Sequence, residues 1–314
     1  MFRQERVVID DIRPQLDCGA FFIKRVVGEQ VVVSADILPD GHDIMQAEVL
    51  YKHQSEKRWR EVRMHALVND RWEGGFTVTR QGFYQYKLRG WVDYALNWQH
   101  GIEAKINDGQ HVRSELLDGV QYLKYLEKKT SGGEKDYLRG LITEFESEEG
   151  YDRAIAEATG TRLHTLFLKH PQRLLANTSH ILEVYVDRMR ANFSTWYEFF
   201  PRSAAAEPGK HGTFRDCERL LPRIAEMGFD TVYLPPVHPI GEVNRKGKNN
   251  ATNAQEGDSG VPWAIGSRHG GHRELHPELG TEEDFRSLIR KAGEMGLEVA
   301  MDLAFQAAPD HPYV

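Results

Sequence analysis

Two stretches near the C-terminus share one design. In "TFRDCERLLPRIAEMGFDTVYLPPV" (213–237), a Thr precedes a helical pattern, a Gly follows it, and an almost wholly apolar run comes next. "TEEDFRSLIRKAGEMGLEVAMDLA" (281–304) repeats the order. Thr213 and Thr281 can cap helix N-termini, while Gly228 and Gly296 suit the left-handed residue just past a helix end. Phe214, Cys217, Leu221, Ile224 and Met227 share one helical face, as do Phe285, Leu288, Ile289 and Ala292. Pro222 lies inside the first helix and is expected to kink it. The apolar runs, "DTVYLPPV" and "EVAMDLA", read as strands covered on both faces, as in a buried parallel sheet. With "TWYEFF" (195–200) ahead of them, the order is βαβαβ. A doubly wound fold would usually show G-x-G-x-x-G after its first strand, and none follows here. A (β/α)8 barrel needs no such turn and places functional residues at strand C-terminal ends, where Asp302 stands.

The rest of the chain is different in kind. Residues 1–107 contain short runs rich in Val, Tyr, Phe and Trp: "QVVVSADIL", "AEVLYKHQ", "EVRMHAL", "GGFTVTR" and "GFYQYKLRGWVDYA". Asp40-Gly41, Asn69-Asp70 and Gln81-Gly82 punctuate them, which predicts an antiparallel β-sandwich. Trp59, Trp72, Trp91 and Trp98 could stack on sugar rings, but core and edge packing is the simpler expectation. Residues 108–179 read as a helical insert, with Leu116, Val120, Leu123 and Leu126 at helical spacing and a break at "ESEEG". Its dense Lys and Glu suit a solvated face. Residues 180–192 regain strand character and can rejoin the sandwich. Residues 193–314 form the β/α part, expected to be the first three strands of an incomplete barrel.

Composition narrows the partners. The 314 residues carry a net charge of −7, which disfavours nucleic acid or an anionic membrane as the main partner. The N-terminus shows no signal peptide, and no run approaches a membrane span. Cys18 and Cys217 lie in different expected domains and read as reduced thiols of a cytoplasmic protein. His238, His269, His272, His276 and His311 show neither H-x3-H nor HExxH spacing, so no metal site is expected. Asp310 and His311 have no nucleophile-elbow Ser to join.

Several motifs carry a family resemblance. "MGFDTVYLPPVHPIG" (227–241) resembles the second barrel strand of the α-amylase superfamily, and "HPELGTEEDFRSLIRKAGEMGLEVAMDLAFQ" (276–306) resembles the approach to its first signature region. Where that region has Asp, three mostly apolar residues, Asn and His, this chain has Asp302, Leu303, Ala304, Phe305, Gln306 and Ala307. "WYEFFPRS", "IGEVNRKGKNN", "GSRHGGH" and "FQAAPDHPYV" make the whole chain similar to the α-1,4-glucan:maltose-1-phosphate maltosyltransferases. The resemblance implies a sandwich and helical domain building a homodimer ahead of the barrel. It implies transfer of maltosyl from α-maltose 1-phosphate to the non-reducing end of an α-1,4-glucan, with retention and no redox cofactor. Lys246 is then the donor-phosphate ligand, Gln306 a substrate ligand, Asp302 a supporting residue, and Lys248 and Asn250 parts of the donor loop. The nucleophile and acid/base are expected beyond Val314, so no catalytic residue is assigned within the chain. The alternatives are a hydrolase or branching enzyme of the same superfamily, disfavoured by Ala307 and the "NRKGKNN" loop, or a non-catalytic dimerisation or glucan-binding module.

Overall fold

The computed structural model describes residues 6–314. The chain divides into two compact units, Met1–Asn192 and Phe193–Val314.

The first unit contains two sheets and a helical layer. Its strands up to the first helix are β1 (Val7–Arg13), β2 (Ile23–Val26), β3 (Gln30–Pro39), β4 (Met45–His53), β5 (Arg60–Arg63), β6 (His65–Ala66), β7 (Arg71–Thr77) and β8 (Gly82–Val92). After five helices come β9 (Asn177–Thr178) and β10 (Leu182–Asp187). One sheet has the order β1-β3-β7-β6. The other runs β2-β10-β8-β4-β5, with β9 also paired to β8. Burial alternates along β3 and β8, as strands with one face inward require. Val31, Val33, Ala35, Ile37 and Phe76 of the first sheet share a core with Ala47, Val49, Tyr84, Tyr86 and Leu88 of the second. Phe76 reaches across and stacks on Tyr51, with ring centroids 4.3 Å apart. The unit is therefore a β-sandwich, and β10 returns to it, antiparallel to β8 and parallel to β2.

The helices are α1 (Tyr94–Asn107), α2 (Arg113–Glu127), α3 (Gly132–Glu146), α4 (Tyr151–Ala158) and α5 (Thr161–Lys169). Leu116, Val120, Leu123 and Leu126 are buried together with Leu138, Leu141, Phe145 and Leu163. The helical part begins at Tyr94, not after residue 107, which corrects the boundary expected from sequence. Aromatic "WVDYALNW" reads as strand by propensity. Yet the Asp93 side chain accepts from the Leu96 amide at 3.2 Å and starts a helix, and Ile102 then packs inward among the other helices.

The tryptophans are packing residues. Trp91 is fully buried. Trp72 packs against the sandwich core, and Trp98 lies in the helical core with its indole N–H donating to Glu115 O at 2.7 Å. Trp59 faces the ammonium groups of Lys52 and Lys87, 4.9 and 4.7 Å from its ring. A buried charge network ties the helical layer to the sheet. Glu48, 1% exposed, pairs with Arg89 and with Arg173 at 2.8 Å, and both arginines also reach Glu61. Arg63 and Arg173 lie over Trp91.

The second unit holds β11 (Trp196–Glu198), α6 (Phe214–Glu226), β12 (Thr231–Leu234), α7 (Glu282–Glu294) and β13 (Glu298–Met301). The strands form a parallel sheet in the order β11-β12-β13. Both helices open with a capping box, Thr213 with Asp216 and Thr281 with Asp284, which satisfies otherwise orphaned amides. The backbone and side-chain bonds from Thr281, and then the Arg215 guanidinium, hold the Asp284 carboxyl down at about 2. Gly228 and Gly296 have φ of 83° and 76°. The helix α6 continues through Pro222. Two inward assignments are corrected. Met227 and Ile289 are exposed, because the sheet has only three strands here and the buried stripe narrows to Phe214, Cys217, Leu221, Ile224, Leu288 and Ala292.

Gly119 of α2 faces the Trp98 ring so closely that a Cβ there would overlap Cζ2. Alanine in a helix gains about 1 kcal/mol over glycine, but overpacking costs about 1–3 kcal/mol. Gly119→Ala should therefore lower stability by up to about 2 kcal/mol in a urea melt followed by Trp fluorescence. An unchanged or raised midpoint would mean that Trp98 has room to move.

Candidate functional site

In a parallel β/α layer, side chains that can meet a ligand stand in the segments following the strand C-terminal ends. Here those segments are 199–213, 235–280 and 302–314.

The long segment after β12 is anchored along its length. Isolated bridges join Ile240 to Ile265 and Ile265 to Ala307. The Gly241 amide donates to Ala264 O and the Gly266 amide to Pro239 O, both at 2.8 Å. This ladder ties the base of the loop to the segment after β13. Within the loop, "NRKGKNN" folds on itself: the Gly247 amide donates to Ala251 O at 3.0 Å, and Asn244, Asn249 and Asn250 take left-handed φ. A Cβ on Gly247 would lie 2.6 Å from Asn253 O, so the tight fold needs glycine there.

The five candidate ligands fall on two segments. Lys246 is half-buried, while Lys248 and Asn250 are exposed on the loop. Neither lysine has a carboxylate within salt-bridge distance among the described residues. Gln306 is exposed, and no protein group hydrogen-bonds its side chain among the described residues. Asp302 is held. Its Oδ2 accepts from the Trp263 indole N–H at 2.7 Å, and its amide donates to Leu234 O at 2.9 Å. The nearby Asp302 carboxylate raises the Tyr233 phenol pKa above its ordinary value. No hydrogen bond or ion pair joins the lysines to Asp302 or Gln306 among the described residues.

The histidines of this unit have structural and electrostatic roles that spacing did not reveal. His272 Nε2 lies 2.7 Å from Ala304 O, and its Nδ1 lies 2.9 Å from His311 Nε2. The Tyr313 amide donates to His311 Nδ1 at 3.0 Å. A carbonyl only accepts and an amide only donates, so the chain has one direction: Tyr313 N–H to His311, His311 Nε2–H to His272, His272 Nε2–H to Ala304 O. Both rings are neutral in it. Gly266 and Gly271 flank the His311 ring where any Cβ would overlap it, which is the physical reason for glycines in "GSRHGGH". Asp310 serves elsewhere, accepting from the Glu242 amide at 2.8 Å. A second cluster joins His211, His276 and Glu278, with ligand-type atoms within 4.8 Å of one another. Arg202 and Arg245 approach the same region. None of Arg202, His211, Arg245 or Trp263 stands out by spacing, because each comes from a separate connecting segment.

The fold and the site together define a multidomain β/α protein with a sandwich and a helical layer ahead of a parallel layer that carries its polar residues past the strand ends. Residues 5–188 match the family described as "Alpha-1,4-glucan:maltose-1-phosphate maltosyltransferase, domain N/S". The chain belongs to that family. It is 45% identical over 315 residues to an α-1,4-glucan:maltose-1-phosphate maltosyltransferase of Chlorobaculum tepidum, covering 99% of this chain and 46% of the relative. It is 44% identical over 313 residues to one of Methylacidiphilum infernorum, covering 99% and 46%. The chain thus spans about half the length of the curated relatives it matches. Among solved structures, an α-amylase from Lactobacillus plantarum aligns with 38% of this chain and 24% of its own, at 33% identity and a TM-score of 0.30.

Burial, along with His272, pushes the His311 pKa below its ordinary value, while Glu274 opposes the shift. The unfolded chain then binds the proton more readily than the folded one. Stability is fully present above about pH 6.5 and falls as pH drops towards the lowered folded value. Hydrogen exchange at the Tyr313 amide should therefore accelerate between pH 7 and 5, after correction for intrinsic rates, more than at Val299 of β13. Equal acceleration at both amides would show that the histidine chain does not hold the 302–314 segment.

Proposed function

We propose that this chain is the N-terminal part of a retaining maltosyltransferase of the α-amylase superfamily. The enzyme moves maltosyl from α-maltose 1-phosphate to the non-reducing end of an α-1,4-glucan, as in glycogen-like glucan synthesis. The observation that carries the reading is the 45% identity across 99% of the chain to a protein named for that reaction. In this reading β11, β12 and β13 are the first three strands of a (β/α)8 barrel, and the sandwich and helical layer form a homodimer surface. The free thiols Cys18 and Cys217 suit a cytoplasmic location.

Lys246 binds the donor phosphate as a point charge. Its lack of an internal carboxylate supports this, since the ammonium is available to a ligand. Gln306 offers both a donor and an acceptor to sugar hydroxyls, and Asp302, fixed by Trp263 and by its own amide bond to Leu234 O, orients the segment that carries it. Lys248 adds to the field, and Asn250 shapes the loop through its left-handed backbone. Retention requires two carboxyl groups about 5–5.5 Å apart, and neither role is assigned to a residue of this chain. The 314-residue chain alone should release no phosphate from α-maltose 1-phosphate in the presence of maltohexaose. Release that is abolished by a substitution within it would overturn that assignment.

The donor's phosphate is the leaving group, so negative charge builds on it as the glycosidic bond breaks. A cation at that point stabilises the transition state more than the ground state. In the full-length enzyme, Lys246→Ala should lower kcat/KM for α-maltose 1-phosphate by roughly 10²–10³. With α-maltosyl fluoride the loss should be much smaller. Equal losses for the two donors would leave Lys246 only a loop-shaping role.

A further inference from the structure

We propose that the cleft between the segment after β11 and the loop after β12 binds an oxyanion of the phosphate type, gripped by the guanidinium groups of Arg202 and Arg245. The two arginines come from different segments and converge on consecutive carbonyls of one loop. Arg202 Nη1 donates to Gly260 O at 2.8 Å, and Arg245 Nη2 donates to Ser259 O at 2.9 Å. Gly260 makes the approach possible: its φ is +69°, and a Cβ there would lie 2.7 Å from Arg245 Nε. Both guanidiniums, together with Lys210 and His211, line the same cleft.

Neither arginine has a carboxylate within salt-bridge distance among the described residues. The acids that line the cleft have partners other than the two arginines. Glu207 pairs with Lys210 at 2.6 Å, Glu278 faces His276 at 3.3 Å, and Asp258 accepts from the Gln255 amide at 2.8 Å. Two like charges brought together with partial burial oppose one another. The Arg202 pKa falls through burial first and Arg245 second. A dianion between the two forks would relieve that repulsion and take up donors the protein leaves free, in the bidentate geometry that arginine favours. His211 adds to the case. It also lines the cleft, with its Nδ1–H donating to Gly212 O at 2.8 Å. His211, His276 and Glu278 could instead suggest a metal ion, but two unneutralised guanidiniums in the same cleft repel a cation.

This site does not depend on maltosyl transfer, and Lys246 is not among the residues lining the cleft. The test is calorimetric titration of the whole chain with inorganic phosphate and, separately, with methyl phosphate, each in the wild type and in Lys246→Ala. Saturable binding that weakens with added NaCl and survives Lys246→Ala is expected. Tighter binding of methyl phosphate would assign the site to an ester, and tighter binding of inorganic phosphate to the free ion. Arg202→Gln and Arg245→Gln should each weaken binding about tenfold or more, the scale for losing a charge-assisted hydrogen bond. Circular dichroism checks the fold of each variant. If a Gln variant misfolds, the matching Arg→Lys variant carries the test, keeping the charge but losing the fork, with a several-fold loss expected. Binding abolished by Lys246→Ala but untouched by Arg202→Gln would overturn the proposal. So would saturable Zn2+ binding that needs His211 and His276 in a chain that ignores phosphate.

Discussion

The first unit depends on one topological requirement: β10 must enter between β2 and β8. It pairs parallel with one and antiparallel with the other, so without it the six-stranded sheet separates into β2 alone and the β8-β4-β5 group with β9. The whole helical layer lies in the chain between β8 and β10. It leaves at Asp93, whose side chain caps α1, and comes back through Asn177, whose amide side chain donates to Val7 O at 2.9 Å. The helices cannot be a freely tethered appendage, because both ends of their segment are fixed by strands of one sheet. The Glu48 network strengthens the return. A buried carboxylate is costly unless paired, and Arg173, just beyond α5, supplies half of its partners. Removing Arg173 would leave Glu48 with Arg89 alone.

In the second unit, glycine and histidine do what the short sheet cannot. Three strands give a narrow core, and the polar segments beyond them need other supports. Bridges through Ile240, Ile265 and Ala307 fasten the loop. The His272–His311 chain, seated against Gly266 and Gly271, fastens the segment that bears Gln306. The candidate ligands Lys246 and Gln306 are left without internal partners while the backbone around them is fixed, which is the arrangement a ligand site needs to bind without large reordering cost.

Much of this was legible from local rules. Thr213 and Thr281 capped where expected, Gly228 and Gly296 ended their helices, and the alternating runs became sandwich strands. Those features depend on neighbours within a few residues, which sequence displays directly. Sequence pattern and structure part where distant contacts decide. Local propensity groups Tyr94 to Asn107 with the sandwich because Trp and Tyr favour strands, whereas the capping bond of Asp93 and the helical core draw it into α1. Met227 and Ile289 fit a helical stripe, but how wide a stripe is covered depends on what lies opposite. The pairing of His272 with His311, and the convergence of Arg202 and Arg245 on the adjacent carbonyls of Gly260 and Ser259, join loops far apart in the chain and leave no periodic trace. "GSRHGGH" was the nearest clue, since clustered glycines often mark a close approach of another group, here the His311 ring.

The two thiols differ in a way that can report on the molecule as a whole. Cys18 is exposed in the first unit, and Cys217 is buried against the strands of the second, where burial pushes its pKa up to about 12. Only the thiolate attacks an electrophile. Alkylating reagents should therefore mark Cys18 at once and Cys217 only when α6 lifts from the sheet. One stoichiometry of labelling against time then separates breathing of the β/α unit from events in the sandwich, with the first cysteine serving as an internal clock.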